Sequence, residues 1–271
     1  MSLEALAGPG RPFLLLGMVH LAPLPGSPRW DGSMAGVIEA ARRDAGRLVE
    51  AGFDGVIVEN FGDAPFLPGP VPPGTVAAMA TVAETVRRVV GSEPLVGVNV
   101  LRNDARAALA VAVAAGADLV RVNVHTGAMW TDQGLIEGRA WETLRDRAHL
   151  GADHVAILAD VLVKHAEPPV PTPVGRTAQE TVERGLADAV VVTGPATGEP
   201  VNVEVLSEVG AAVSVPVLVG SGATAETLTR FAKLANGAIV GTAVKEDGRV
   251  TAPVDLHRAR ALVAARPGGA R

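Results

Sequence analysis

The sequence predicts a single (β/α)8 barrel of the α/β class. Three observations carry that prediction. Short Val/Ile/Leu runs alternate with Ala-rich or charged amphipathic stretches along the whole chain, the pattern of parallel strands joined by crossover helices. The length, 271 residues, suits the roughly 250 residues of one such barrel. Two Gly-centred turns then close the last two strand-like runs: Gly220-Ser221-Gly222-Ala223-Thr224, and Gly241-Thr242-Ala243-Val244-Lys245. Glycine lets the backbone approach a ligand closely, and the amides that open a following helix point at an anion. Paired turns on the final strands are where many (β/α)8 barrels hold a phosphate.

Taken in order, the expected elements end in polar or glycine signals. A strand over 13–19 ends before His20, and a helix over 34–51 stops at Ala51-Gly52, glycine being the usual left-handed stop. The strand at 55–58 runs into Glu59 and Asn60, then into a Pro- and Gly-rich connection over 61–74. After a helix at 75–90, the strand at 95–100 carries Asn99 and leads to Arg102, Asn103 and Asp104. Asp104 suits the cap of the helix at 104–115, which stops at Ala115-Gly116. The strand at 119–124 contains Arg121 and Asn123, precedes His125, and is followed by a helix over 137–150. The strand at 155–158 delivers Asp160, Lys164 and His165 to a second long connection, 164–177, with a Pro cluster. A helix at 178–185 stops at Gly185, and the strand at 189–192 ends at Thr193-Gly194. Helices at 203–213, 225–234 and 253–264 flank the last strands, 216–219 and 238–240.

Both long connections follow strands, so a barrel places them on its C-terminal face among the active-site loops. An open doubly wound sheet would use fewer strands and one phosphate turn early in the chain. One domain over 1–271 is expected, with short flexible tails at about 1–10 and 266–271.

Composition narrows the chemistry. The chain is 48% hydrophobic, enough for a large core, and its formal charge of −5 with no block of like charge argues against a nucleic-acid partner. With no Cys and no Tyr, proton transfer falls to His, Asp, Glu or Lys. The apolar stretch 13–24 imitates a signal peptide, but the first ten residues carry no Lys or Arg, and Gly17, His20 and prolines interrupt it. No apolar run approaches the ~20 residues that span a bilayer. The expectation is a cytoplasmic protein without membrane insertion.

A buried parallel strand should be nearly all apolar, so the polar residues at strand ends need a reason. Alternation puts Arg121, Asn123 and His125 on one face, and likewise Ile57 with Glu59 and Gly97 with Asn99. If those faces point inward, a polar ring caps the barrel core. Asp160, Glu59, Lys164 and His165 are the candidate catalytic residues. His20, Asn60, Asn99, Arg121, Asn123 and Thr193 are candidates for substrate binding, and Gly220, Ser221, Gly222, Gly241 and Thr242 for the phosphate. A bulky residue at Gly222 should then weaken ligand binding and spare the fold.

Each has a plainer reading. His20 can be structural, Asp160, Lys164 and His165 can be solvated loop residues, and Lys245 can lie on the surface. Arg121 calls for a carboxylate partner such as Glu59, since an unpaired buried charge is costly. His20, Glu59 and Asp160 include donor types that suit a divalent ion, but no fixed-spacing metal motif accompanies them.

Longer strings surround these residues: Gly17-Met18-Val19-His20-Leu21-Ala22-Pro23-Leu24-Pro25-Gly26-Ser27-Pro28, Val58-Glu59-Asn60-Phe61-Gly62-Asp63-Ala64-Pro65-Phe66, and Asn99-Val100-Leu101-Arg102-Asn103-Asp104. Arg121-Val122-Asn123-Val124, Thr131-Asp132-Gln133-Gly134-Leu135-Ile136-Glu137-Gly138, Leu158-Ala159-Asp160-Val161-Leu162-Val163-Lys164-His165-Ala166 and Gly185-Leu186-Ala187-Asp188 follow. Together they resemble the BtpA/SgcQ family over about residues 13–265. The resemblance implies a ribulose-phosphate-binding TIM barrel. Cyanobacterial members of that family are linked to photosystem I accumulation; the SgcQ branch is associated with sugar-phosphate metabolism and carries a nucleotide-hydrolase label. Loop residues depart from the family pattern, for example Thr193-Gly194-Pro195-Ala196-Thr197-Gly198, so the substrate stays open.

Two functions from different classes follow. One is an enzyme acting on a phosphorylated sugar or nucleotide-like metabolite, as an isomerase, lyase or hydrolase. The other is a non-enzymatic assembly or stability factor of the photosystem I biogenesis type. By analogy with similar barrels, a homo-oligomer is expected.

Overall fold

The computed structural model describes residues 13–194 and 199–267. The expected tail at 1–10, residues 268–271 of the other tail, and 195–198 of the loop after Thr193-Gly194 lie outside the described residues.

Eight parallel strands close on themselves. They are β1 (Leu14–His20), β2 (Gly55–Glu59), β3 (Leu95–Asn99), β4 (Leu119–Val122), β7 (Ala156–Val161), β9 (Ala189–Val192), β10 (Val217–Val219) and β11 (Gly237–Val240), and β1 pairs with both β2 and β11. The intervening helices are α1 (Met34–Ala51), α2 (Pro73–Val90), α3 (Ala105–Ala115), α4 (Ala140–His149), α5 (Val174–Glu183), α6 (Val203–Ala212), α7 (Ala225–Phe231) and α8 (Leu256–Ala264). This is the (β/α)8 barrel that the strand–helix alternation predicts.

The period-2 alternation divides the core in two. Leu14, Leu16, Met18, Ile57, Leu95, Leu119, Leu158, Val191, Leu218 and Ile239 fill the barrel interior. The alternate residues, such as Leu15, Val56, Val98 and Ile157, pack with Leu48, Met79, Leu109 and Leu206 from the helices. Gly97 makes the interior layer possible, because a Cβ there would lie 2.2 Å from Leu119 Cδ1.

Helix ends follow local chemistry. Ser33 and Asp104 cap α1 and α3 by accepting amide hydrogen bonds, and Gly52 and Gly116 end the same helices in the left-handed conformation. At the end of α5 that role falls to Leu186 (φ 52), not to Gly185. Gly185 instead lies against Thr126 and His125, so a side chain there would clash.

The N-terminal face repeats one device. Asp54, Asp118, Asp188 and Asn236 each precede a strand and accept the amide of a residue on the neighbouring strand, from Leu15, Val96, Ile157 and Val217 respectively. Arg266, Arg87 and Arg147 pair with the three aspartates. Arg266, expected in a flexible tail, is therefore anchored.

The structure corrects the helix expected at 137–150. A hairpin of β5 (Ala128–Thr131) and β6 (Gly134–Glu137) comes first, joined by β8 (Ala166–Glu167) into a small antiparallel sheet, and α4 begins at Ala140. Thr131 Oγ1 accepts the Gln133 amide and donates to the Gly134 carbonyl, which stabilises the turn. The Pro-rich connection after β7 is shorter than expected, because α5 starts at Val174 directly after Pro173, where a fixed φ suits a helix start.

Candidate functional site

Strand register assembles the C-terminal mouth. His20 lies beside Glu59, Glu59 beside Asn99, and Asn99 beside Arg121. Asn123 and Asp160 continue the inward-facing rows of β4 and β7. All six are at the same end of the barrel.

Arg121 and Asp160 form the centre of this ring. Arg121 Nε donates to Asp160 Oδ1 at 2.9 Å and Nη2 donates to Oδ2 at 2.9 Å, while Asn123 Nδ2 also donates to Oδ2 at 2.9 Å. The Asp160 side chain has no exposed surface. The partner of Arg121 is thus Asp160 on the next strand and not Glu59, which acts on Arg121 only through its field.

Glu59 is consequently left without a guanidinium of its own. Burial pushes its carboxyl above the usual range, against the pull of Arg121 and Lys164. His20 Nε2 stands 3.7 Å from Glu59 Oε1, and Phe61 packs on the imidazole with ring centroids 4.7 Å apart. Burial, helped by Lys245, Lys164 and Arg121, holds the His20 pKa down at about 3. His20 is therefore neutral near pH 7. A hydrogen on Nδ1, facing the Val250 carbonyl at 3.3 Å, leaves the Nε2 lone pair towards Glu59.

Lys164 sits in the loop after β7. Its amide donates to Thr193 Oγ1 at 2.9 Å and its carbonyl accepts from Arg102 Nη2 at 2.8 Å. Leu162 (φ 52) and His165 (φ 57) flank it in the left-handed region, which side chains other than glycine rarely occupy. Burial, then Arg121, lowers the basicity of its amine. The His165 side chain is exposed.

The glycine turns line a cavity of about 200 Å3 together with His20, Glu59, Arg121 and Lys164. Among the described residues, the amides of Gly222, Ala223, Thr242 and Ala243 donate to no backbone carbonyl. A second cavity, about 500 Å3, shares the same four side chains and extends past Phe61, Phe66 and Leu101.

Other candidates hold the scaffold. Asn60 Oδ1 accepts the Leu101 amide at 2.7 Å and its Nδ2 donates to Asp63 and Leu101, so it ties the loop after β2 to the loop after β3. Asn99 Nδ2 donates to the Arg121 carbonyl at 2.9 Å and to Asn123 Oδ1 at 3.2 Å, while Asn99 Oδ1 is buried without a hydrogen bond. Ser221 Oγ accepts the Gly194 amide and donates to the Glu199 carbonyl. A Cβ on Gly222 (φ +66) would lie 2.2 Å from Pro200 Cα, so the expectation that a bulky residue there spares the fold is corrected. His125 Nε2 faces the Gly185 carbonyl at 2.8 Å. Lys245 is buried and not on the surface, its Nζ 2.8 Å from Asp44 Oδ2.

Arg258 went unseen in the sequence. It lines the smaller cavity, and its Nε donates to the Ala243 carbonyl at 3.1 Å. It comes from the first turn of α8, where an arginine carries no distinguishing signal.

Among the described residues, no group of three His, Asp or Glu side chains is placed to hold a metal ion. His20, Glu59 and Asp160 fail as such a set because Asp160 is committed to Arg121 and Asn123. No described helix is long and apolar enough to cross a membrane.

Solved structures with a similar fold include a 3-hexulose-6-phosphate synthase (TM-score 0.59, 19% identity, covering 94% of this chain and 100% of that one). A thiamine phosphate pyrophosphorylase from Pyrococcus furiosus aligns with TM-score 0.58 and 15% identity, covering 94% and 96%. At such identities the likeness concerns the fold. Closer in sequence is the photosystem I biogenesis protein BtpA of a Synechocystis species, 48% identical over 94% of this chain and 88% of that protein. An uncharacterised protein of Thermococcus kodakarensis is 52% identical over 92% and 93%. One from Caenorhabditis elegans is 34% identical over 90% of each. A BtpA family profile matches residues 12–267, and the chain belongs to the BtpA family.

Proposed function

We infer that this protein is an enzyme acting on a phosphorylated small molecule. The observation that carries the reading is the shared wall of the two cavities: His20, Glu59, Arg121 and Lys164 line both. The phosphate sits on the turns at Gly220–Gly222 and Gly241–Thr242, where the Gly222 and Thr242 amides donate to no backbone carbonyl among the described residues, with Arg258 beside them. The reacting end lies at the shared wall. Glu59 and Lys164 are the reacting groups, since each is shifted by burial towards its neutral form. A carboxyl and an amine poised in this way suit proton transfer next to a carbonyl. Asp160 acts through Arg121 by fixing the guanidinium, a positioning role. Binding energy from the phosphate orients the distant carbon.

The name of the Synechocystis relative favours a second reading, an assembly factor for a photosystem. A relative in a nematode, an animal without photosystems, supports a reaction of wider use.

A thermal-shift screen tests the enzyme reading. A phosphorylated sugar or nucleotide at 100 times its Kd should add about 2.7 kcal/mol of stability, and its dephosphorylated counterpart should add none. Indifference to every phosphorylated compound would remove the reading.

A further inference from the structure

We propose that the amine of Lys164 condenses with the carbonyl group of a phosphorylated aldose or ketose, so that the reaction proceeds through an imine. The proposal rests on the phosphate reading above and deepens it by naming the substrate class.

The position of Lys164 is the first support. It stands at the wall shared by the two cavities, where the carbon chain of a molecule anchored at the glycine turns would pass.

Its lack of a counter-ion is the second. Among the described residues no carboxylate forms an ion pair with Lys164: Asp160 is taken by Arg121 and Asn123, and Glu59, 3.7 Å from the neutral His20, acts on Lys164 only through its field. The fully buried lysine, Lys245, is by contrast bonded to Asp44. A half-buried amine without a paired carboxylate loses part of its preference for charge, and its neutral form carries the lone pair that a carbonyl carbon needs.

The third support is the residue type. The chain has 24 Lys and Arg together, yet only Lys164, Lys233 and Lys245 are lysines. Arginine meets almost every other need for positive charge in this protein, but a guanidinium does not form an imine with a sugar carbonyl under such conditions. The lysine at 164 is also held on both sides, by Thr193 and Arg102, between two left-handed residues. Backbone strain of that kind collects at functional sites.

The step balances without an external oxidant or reductant. The Lys164 lone pair adds to the carbonyl carbon, forming a C–N bond as the C=O π bond opens. A proton moves from nitrogen to oxygen to give the carbinolamine. Its hydroxyl takes a proton from the Glu59 carboxyl and leaves as water. The products are a protonated imine on Lys164, one water and the Glu59 carboxylate. The imine withdraws electrons from the adjacent carbon, and the new carboxylate is then placed as the base for a proton on that carbon.

Borohydride trapping tests this on the full chain. Dihydroxyacetone phosphate, ribulose 5-phosphate and fructose 6-phosphate are the probes, and glycerol 3-phosphate, which lacks a carbonyl, is the control. Thermal shifts are recorded for the same four compounds. The expected result is a permanent mass gain equal to one probe less one oxygen atom, mapped to the peptide containing Lys164. The gain is absent with glycerol 3-phosphate and lost in Lys164→Arg, or in Lys164→Met should the arginine variant fail to fold. A carbonyl probe that raises Tm yet leaves Lys164 unmodified overturns the imine and spares the phosphate reading. If none of the four compounds shifts Tm or labels the protein, both fall. Labelling confined to Lys233 or to the N-terminal amine also counts against Lys164.

Discussion

Arg121 and Asp160 meet as a two-pronged fork inside the barrel mouth, with both nitrogen–oxygen distances 2.9 Å. Neither side chain exposes more than 3% of its surface. The carboxylate that looked most available for proton transfer in the sequence is the one most fully consumed by the structure. Glu59, the register partner of Asn99 on the adjacent strand, keeps a carboxyl that faces the cavities.

Asp160→Asn should therefore act on stability before chemistry. The substitution leaves the Arg121 charge buried beside a neutral amide, and breaking a buried pair in this way costs about 3–5 kcal/mol. Urea denaturation measures the loss. The double variant Arg121→Met/Asp160→Leu should recover most of it, because apolar pairs of similar volume often replace buried ion pairs at little cost. An Asp160→Asn protein as stable as wild type, but inactive on an identified substrate, would return Asp160 to the reaction itself.

The two glycine turns should respond differently to substitution. A Cβ at Gly241 approaches His20 Cε1 at 3.0 Å, a side chain and not backbone. Gly241→Val should crowd the smaller cavity and weaken binding of a phosphorylated ligand by about tenfold or more, some 1.4 kcal/mol, with a modest change in Tm. At Gly222 the Cβ meets Pro200 Cα at 2.2 Å on a backbone with φ +66. Gly222→Ala should lose about 1–3 kcal/mol of stability as well. Calorimetric titration beside thermal melts separates the two effects; equal binding in wild type and Gly241→Val would deny that turn a role in the phosphate site.

His20 and Glu59 should tilt the pH dependence of stability in opposite directions. The folded pKa of His20 is about 3 against 6.5 unfolded. Between those values the unfolded chain takes a proton that the folded one refuses, so stability falls with acid by about 1.4 kcal/mol per pH unit. Glu59 has a raised folded pKa. Its contribution is full below the unfolded value of 4.5 and is lost as the pH rises through the folded pKa. His20→Gln should thus flatten the acid side of the stability curve, and Glu59→Gln should flatten the side above 4.5. Denaturation midpoints across the interval read both slopes, and a wild-type slope retained in His20→Gln would contradict the assignment.

The barrel was legible because its strands are buried on both faces. Any polar residue in such a strand stands out, which is how His20, Glu59, Asn99, Arg121, Asn123 and Asp160 were found. What those residues touch was not legible. Partners are set by register between strands far apart in sequence, so Arg121 drew Glu59 on paper and Asp160 in space. Asn60 ties the loops after β2 and β3 together, and Ser221, which lines the smaller cavity, bonds to Gly194 and Glu199, links that no local pattern encodes. The β5–β6 hairpin was hidden for another reason: its runs on either side of Asp132-Gln133 are only four residues each. The device at the N-terminal face was visible in principle, as Gly52-Phe53-Asp54, Gly116-Ala117-Asp118 and Leu186-Ala187-Asp188 before three strands.

The Lys245–Asp44 pair spans 201 positions of sequence, and β11 supplies the last partner for β1. During synthesis Asp44 emerges long before the amine that bonds to it in the finished barrel. Until then α1 carries a carboxylate on the face that must pack against the sheet, and β1 has an open edge. A nascent chain halted anywhere before Gly237 therefore cannot complete the barrel, whatever its earlier helices have formed. Such fragments present a helix face missing its buried lysine, with Arg43 alone beside Asp44, and an unpaired strand, features by which quality control can tell an unfinished chain from a finished one.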